Sequence, residues 1–477
     1  MQTARLTHHL PADPETRNFT RQVPGASFSW VDPTPVTAPK LLAWSEDVAR
    51  DLDLTPTPEV ISMLAGNHVP EGVRPVATRY GGHQFGHWAG QLGDGRAIIL
   101  GEKNGQEIQL KGAGPTPYSR RADGRAVLRS SLREYLCSEA MHHLGIPTTR
   151  ALALVGTGDE VVRDMFYDGH AAPEPGAICT RVAPSFLRFG HFQIHAAQGE
   201  VDVLKKLVDY TLTFYPGHDL TSFFHELCGR TARLMVDWWR VGFVHGVMNT
   251  DNLSALGLTI DYGPYGWLDV YDPDWTPNTT DAQNRRYRFG QQPNIALWNL
   301  HQLAGALSVL GLKPEAGLAH YEATFIAEWE KMLSAKLGLR VFDGSLIGDL
   351  DQLMRRQELD PTLFYRLIAE DKFPDEAFYQ PVTSDTRVAF SVWLARWRAL
   401  SPDVDLMNRT NPAVIFRNFQ AQEVIDGLMT NDPAPLEALT RALRHPYQLD
   451  DVSRQFYTRR PEWARSRAGC SALSCSS

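Results

Sequence analysis

Three oxygen-bearing side chains bracket one short apolar run, and that bracket constrains this chain more than any other feature. Asp251 and Asn252 stand before residues 253–260, and Asp261 stands directly after them. With Gly257 near its middle, the run reads as a tight β-hairpin. A hairpin returns its two ends to one place, so Asn252 and Asp261 are expected to converge on a hard cation. Mg²⁺ takes oxygen ligands and keeps phosphate oxygens and waters in its remaining positions.

Composition excludes several other classes. At 477 residues the chain is long for a single core, while 43% hydrophobic and 21% charged residues are ordinary globular values. A net charge of −8 argues against nucleic-acid binding, which runs on a basic surface. No apolar run approaches a membrane span, and the first residues lack an apolar targeting region. A cytoplasmic protein is expected, with a monomer as the default. Five cysteines over this length make no disulfide framework. Cys470 and Cys475 lie in a small-residue tail expected to be exposed and mobile.

Periodicity divides the chain into a β-rich part and a helical part. Residues 1–75, rich in Pro and Asp, read as an extended segment wrapped over a larger body, with one helical stretch at 41–52. Strands at 97–100 and 108–111 are joined by the turn Lys103-Asn104-Gly105-Gln106. A helix is expected from about 125 to 144, ended by Gly145, and strands at 150–155, 160–166 and 177–182. Helical patterns then dominate, at 201–214, 220–241, 293–310, 316–337, 388–400 and 421–429. The expected class is α+β. It consists of an N-terminal extension (1–75), a β-rich lobe with one helix (76–183), a helical lobe carrying the metal motif (184–465) and a cysteine-containing tail (466–477).

Several charged positions fit nucleotide chemistry. Gly93 and Gly95 let backbone N–H groups approach phosphates, and Arg96 adds a charged donor; the bland alternative is a simple turn. Lys111 ends a strand and Glu134 lies on the next helix, an arrangement that holds a lysine against phosphates; the bland alternative is two solvated charges. Asp123-Gly124-Arg125 opens that helix, with Asp123 as a cap or the helix end as an anion site. Arg181 and Arg188 are suited to clamp phosphates, the alternative being ordinary surface arginines. His83, His191 and His195 lack ligand spacing, His245 reads as a loop brace, and Trp88 and Trp238-Trp239 read as core.

The stretch His245-Gly246-Val247-Met248-Asn249-Thr250-Asp251-Asn252 with Asp261-Tyr262-Gly263 resembles a kinase catalytic loop followed by its Asp-x-Gly metal motif. The kinase catalytic Asp would stand at position 247, which is Val. Further pieces are Tyr80-Gly81-Gly82-His83-Gln84-Phe85-Gly86, Gln91 to Arg96, Lys111-Gly112-Ala113-Gly114, and Asp123 to Arg129. Arg181-Val182-Ala183-Pro184-Ser185, Arg188-Phe189-Gly190-His191-Phe192 and the terminal Cys475-Ser476-Ser477 complete the set. Together, from about residue 25 onward, they resemble the selenoprotein O family, protein adenylyltransferases on a two-lobed pseudokinase fold.

The resemblance implies that ATP binds flipped relative to a kinase, so that AMP passes to Ser, Thr or Tyr hydroxyls of protein substrates and pyrophosphate leaves. It implies ATP binding by Gly93, Gly95, Arg96, Lys111, Asp123, Gly124, Arg181, Arg188 and Asp261. Mg²⁺ or Mn²⁺ would sit on Asn252 and Asp261, Asp251 would be the general base, and Glu134 would orient Lys111. Alternatives are UMP transfer with Mn²⁺, ordinary phosphorylation, or a non-catalytic ATP-binding scaffold. Two departures stand out. Arg121-Ala122 replaces the family's Met-Gly before Asp123. Pro277 stands where some bacterial relatives carry a cysteine proposed to pair with the tail, and Cys475 where animal members carry selenocysteine. Pairing of Cys475 with Cys470 stays open.

Overall fold

Alternating apolar positions in the first 183 residues build one antiparallel sheet. The computed structural model describes residues 1–166, 168–470 and 472–474. The strands of this region are β1 (Phe28–Trp30), β2 (Lys40–Trp44), β3 (Val76–Thr78), β4 (Gly81–Gln84), β5 (His87–Gln91), β6 (Ala97–Lys103), β7 (Gln106–Lys111), β8 (Arg150–Arg163) and β9 (Ala172–Ala183). Seven of them join in the order β1-β3-β6-β7-β9-β8-β2, and β4 and β5 form a separate hairpin. Residues 1–75 thus supply both edge strands of the main sheet.

Strand alternation sorts the side chains into two layers. Ile98, Leu100, Ile108 and Leu110 pack with Val36, Leu52 and Leu64 of the N-terminal region. On the other face, Ile99 and Cys179 meet Leu132 and Leu136 of the helix Leu128–His143. Each fully buried aliphatic side chain of this kind contributes about 2 kcal/mol. The strand and turn expectations at 97–111 match the structure. The strands expected at 150–155 and 160–166 are one long strand, β8.

Helices dominate after Ala183. The longest site-proximal one, Leu220–Val241, starts where the Asp219 carboxylate accepts the Ser222 amide at 2.8 Å, and it stops at Gly242, φ 74°. Its Trp238 is fully buried, and Trp239 partly so. Helices at Phe189–Ala197, Gly344–Arg355, Pro361–Ala369, Val404–Thr410 and Ala434–Arg444 were not signalled by periodicity. No helix of the described residues is long and apolar enough to cross a membrane.

Four expectations fail. Residues 41–44 are strand, not helix, because they pair with β8 at the sheet edge; only Glu46–Asp51 is helical. Residues 253–260 form no hairpin: Ser254 bridges to Arg188 and Thr259 to Thr148, so each end is anchored to a different segment. Trp88 is 39% exposed rather than core, since it lies on the β4–β5 hairpin outside the main sheet. Cys470 is not in an exposed tail. It is 1% exposed and packs with Phe419 and Ala464. Cys475 lies outside the described residues. Leu473 seats on the Pro277 segment through two backbone bonds, Leu473 N–H to Pro277 O at 2.9 Å and Thr279 N–H to Leu473 O at 2.8 Å.

One buried carboxyl in the sheet carries a pH consequence. Burial pushes Glu107 on β7 up to about 8, with the Phe186 amide at 2.9 Å and Arg5 opposing, and Glu102 and Asp94 adding. The folded chain keeps this proton while the unfolded chain releases it near the ordinary glutamate value. Stability therefore falls as pH rises from about 4.5 to about 8 and levels off above, by at most about 1.4 kcal/mol per unit. Glu107→Gln lacks this slope. Thermal melts from pH 5 to 9 should show wild type losing Tm relative to the variant across that window; parallel curves would contradict the burial assignment.

Candidate active site

The register of β7 and β9 puts the first cations side by side. Gln109 lies opposite Arg181, and Lys111 lies two residues further along β7 on the same face. The helix Leu128–His143 crosses beneath and delivers Glu134 to both. Lys111 Nζ is 2.7 Å from Glu134 Oε2, and Arg181 Nη1 donates to Glu134 Oε1 at 3.0 Å. Arg181 also donates to the Gln109 side chain. Arg188 stands at the N-cap of the helix Phe189–Ala197, and its amide donates to His191 Nδ1 at 2.9 Å.

These cations converge on Asp261. Arg181 and Arg188 both donate directly to its carboxylate, and Lys111 Nζ lies 3.7 Å away. Burial alone would raise the Asp261 carboxyl, but Arg188, Arg181 and Lys111 hold it well below the usual carboxylate range. Lys111 is pushed down by burial, and Arg181 and Arg96 add to the depression against Glu134 and Asp261. Asp261 itself sits at φ 61°, a left-handed conformation uncommon for a non-glycine residue. His245 braces the preceding residue, with Nε2 2.9 Å from Ile260 O and its ring stacked on Trp238.

Asp251 occupies the adjoining wall. Arg188 Nη1 donates to its backbone oxygen at 2.9 Å, which ties it to the same cluster. Its carboxyl is buried and pushed up to about 6, with Arg188 and Gln84 opposing that rise. Oδ2 accepts a long bond from Gln84 Nε2 at 3.3 Å, and Oδ1 is buried with no hydrogen-bond partner. Val247, at the position of a kinase base, is a buried apolar side chain.

The donor set fits a hard cation. Asn252 Nδ2 donates to Val247 O at 2.9 Å, which leaves its amide oxygen to accept, and Asp261 supplies a carboxylate whose two oxygens already accept from Arg181 and Arg188. Among the described residues no group of three or more His, Cys, Asp or Glu side chains could hold a metal.

The glycine motifs meet at the Lys111 end of β7. Gly112 N–H donates to Arg96 O at 2.7 Å and Gly114 N–H to Gly124 O at 3.0 Å. Gly124, at φ 70°, lies so close to Gly114 that a Cβ would overlap its backbone, and Gly93, at φ 139°, is pressed against Tyr118. Gly95 sits against Tyr118 and Ser119. Asp123 corrects the sequence expectation: the helix starts at Leu128, so Asp123 caps nothing there. It accepts the Arg125 amide at 2.9 Å and pairs with Arg163 at 2.7 Å, and it is largely exposed.

Some site residues were missed. Asp94 was passed over between its glycines, yet it is buried, accepts the Thr78 amide at 2.9 Å and stands 3.9 Å from Arg188. Tyr80 lies under the Arg188 guanidinium at 4.8 Å. Gly82 approaches Asp251 so closely that a Cβ would overlap Oδ1 and lie 2.9 Å from the Asp251 Cβ. A paired glycine followed by two polar residues was the available signal. Gly82→Ala is expected to displace Asp251 and lower turnover about 10²-fold while leaving ATP affinity near wild type. Steady-state rates and calorimetric ATP binding check this; unchanged turnover would contradict it.

A family model described as protein adenylyltransferase SelO matches residues 17–444. The chain is 53% identical to a protein nucleotidyltransferase YdiU of Azoarcus sp., over 99% of this chain and 98% of the relative. It is 52% identical to proteins of the same description from Xanthomonas campestris pv. campestris, with 99% and 98% covered, and from Methylobacillus flagellatus, with 99% of each covered.

Proposed function

Since the chain belongs to the protein adenylyltransferase SelO family and is a protein nucleotidyltransferase, we propose that it transfers AMP from ATP to Ser, Thr or Tyr hydroxyls of proteins, with Asp251 as general base. The observation that carries this reading is the Asp251 carboxyl: buried, with one oxygen unpartnered, and tied through Arg188 to a three-cation cluster. A base works best with a pKa near the working pH, and burial has moved this one towards it.

The steps balance on the chain's own residues. The acceptor oxygen attacks the α-phosphorus, its proton passes to Asp251, and the bond to pyrophosphate breaks. Lys111, Arg181 and Arg188 stabilise the charge that builds on the departing pyrophosphate. Glu134 holds Lys111 and Arg181 in place, and Gly93, Gly95, Arg96, Asp123 and Gly124 shape the nucleotide's surroundings. Asn252 and Asp261 would hold Mg²⁺ or Mn²⁺, which supplies Lewis-acid neutralisation of phosphate oxygens when bound. In this reading the sheet-bearing part (76–183) and the helical part (184–465) are the two lobes of a kinase-like fold, with residues 1–75 as an extension, 466–477 as a tail, and ATP between the lobes.

Intact mass after incubation with ATP and divalent metal tests the reading, on the enzyme and on a mixed protein substrate. A gain of one AMP is expected. In Asp251→Asn it should fall about 10²- to 10⁴-fold, with ATP affinity retained. A gain of one phosphate would make the protein a kinase, and a gain of UMP alone, from UTP with Mn²⁺, would replace the donor.

A further inference from the structure

A cleft of about 320 Å³ opens at Phe85, next in sequence to the Gln84 that bonds Asp251. Its lining includes Phe85, Asp281, Arg286, Arg288, Gln291 and Ile295. Phe85 follows Gln84, the residue that holds Asp251 Oδ2 by its long bond. The Phe85 amide donates both to Asn249 Oδ1 at 3.1 Å and to Tyr287 Oη at 3.0 Å, and Tyr287 Oη donates to Asn249 Oδ1 at 2.6 Å. The β4–β5 turn, the loop that carries Asp251 and the loop 281–288 are therefore pinned together at one point. An acceptor hydroxyl that replaces the Gln84 amide on Asp251 would have its flanking residues in this cleft.

The charge of the cleft is the reverse of the molecule's. The chain carries −8 overall, yet Arg286 and Arg288 line the cleft, and the exposed Arg285 directly precedes them in sequence. Asp281 does not balance them at the surface: it is buried, with its carboxylate accepting the Arg286 amide at 2.9 Å and the Tyr287 amide at 2.7 Å. Among the described residues the three arginines make one ion pair, Arg288 to Asp274 at 2.8 Å, and Asp274 is 63% exposed. An exposed pair of that kind is weak and exchangeable. The Arg286 guanidinium is held over the Trp298 ring at 4.7 Å and beside Gly86, and its Nε is buried without a partner. A planar, pre-positioned guanidinium suits bidentate recognition of carboxylates.

We propose that this cleft is the acceptor-docking site, and that Arg285, Arg286 and Arg288 select protein segments carrying acidic residues next to the target hydroxyl. The proposal rests on the adenylyl-transfer reading for the identity of its ligand, and its test separates the two. Three peptides of equal length carry one Ser flanked by Glu, by Gln or by Lys. Transfer is read as AMP incorporation. Docking is read separately, as fluorescence anisotropy of matching peptides with Ala in place of Ser.

Wild type should bind the Glu-flanked peptide about tenfold more tightly than the Gln-flanked one, a step of about 1.4 kcal/mol, and its KM should carry most of the difference. Arg285→Glu with Arg288→Glu, both at partly or fully exposed positions, should reverse the order in favour of the Lys-flanked peptide. Equal binding of the three peptides by wild type, or an unchanged order in the double variant with normal ATP affinity, overturns the proposal. Acid-selective docking without AMP incorporation sustains the docking site and removes the transfer reading; incorporation without selectivity does the opposite.

Discussion

Asp261 is the point on which the site turns. Lys111 comes from β7, Arg181 from β9 and Arg188 from the start of a helix, and all three meet on its carboxylate. Burying like-charged groups this close is costly unless an opposite charge is shared among them. Glu134 and Asp261 are that charge, and the two arginines are almost wholly buried. The sheet register, the crossing helix and the brace from His245 to Ile260 all serve to bring these groups together.

The same packing explains the Asp251 wall. Its carboxyl is closed in by Gly82 and Gln84 of the β4–β5 hairpin and by Arg188 behind it. Burial raises its proton affinity, which a solvated aspartate would not have. The cost is crowding: only glycine fits at position 82. The hairpin stands outside the main sheet and carries the exposed Trp88, and bonds from His83 and Phe85 hold it to the Asp251 loop. The weak Gln84 contact is its replaceable element.

Much of this was legible in the residues, for reasons that can be named. Lys111 and Glu134 were found because strand and helix periodicities are local and strong. Asp261 was singled out by the polar bracket around 253–260, and Arg181 and Arg188 as possible phosphate clamps; no spacing rule relates positions 181, 188 and 261, and the resemblance joined them. The hairpin at 253–260 failed because a short apolar run around a glycine does not reveal its partners, and here they are Arg188 and Thr148. The first part of the helix read at 41–52 failed because sheet pairing with β8 overrode local preference, while Glu46–Asp51 is helical. Asp123 looked like a cap only while the helix was taken to start three residues early. Asp94 and Gln84 were hidden because their roles depend on partners distant in sequence, Arg188 and Asp251.

In the proposed function the Asp261 carboxylate and the phosphates of ATP compete for the same two arginines. Equilibrium ATP binding to Asp261→Asn, with a chelator present to remove divalent metal, tests this directly. Tighter binding than wild type, by about tenfold for one freed charge-assisted contact, is the expected result. Weaker binding than wild type under chelation, in a variant that melts normally, would show that Arg181 and Arg188 are structural partners of Asp261 and not phosphate ligands.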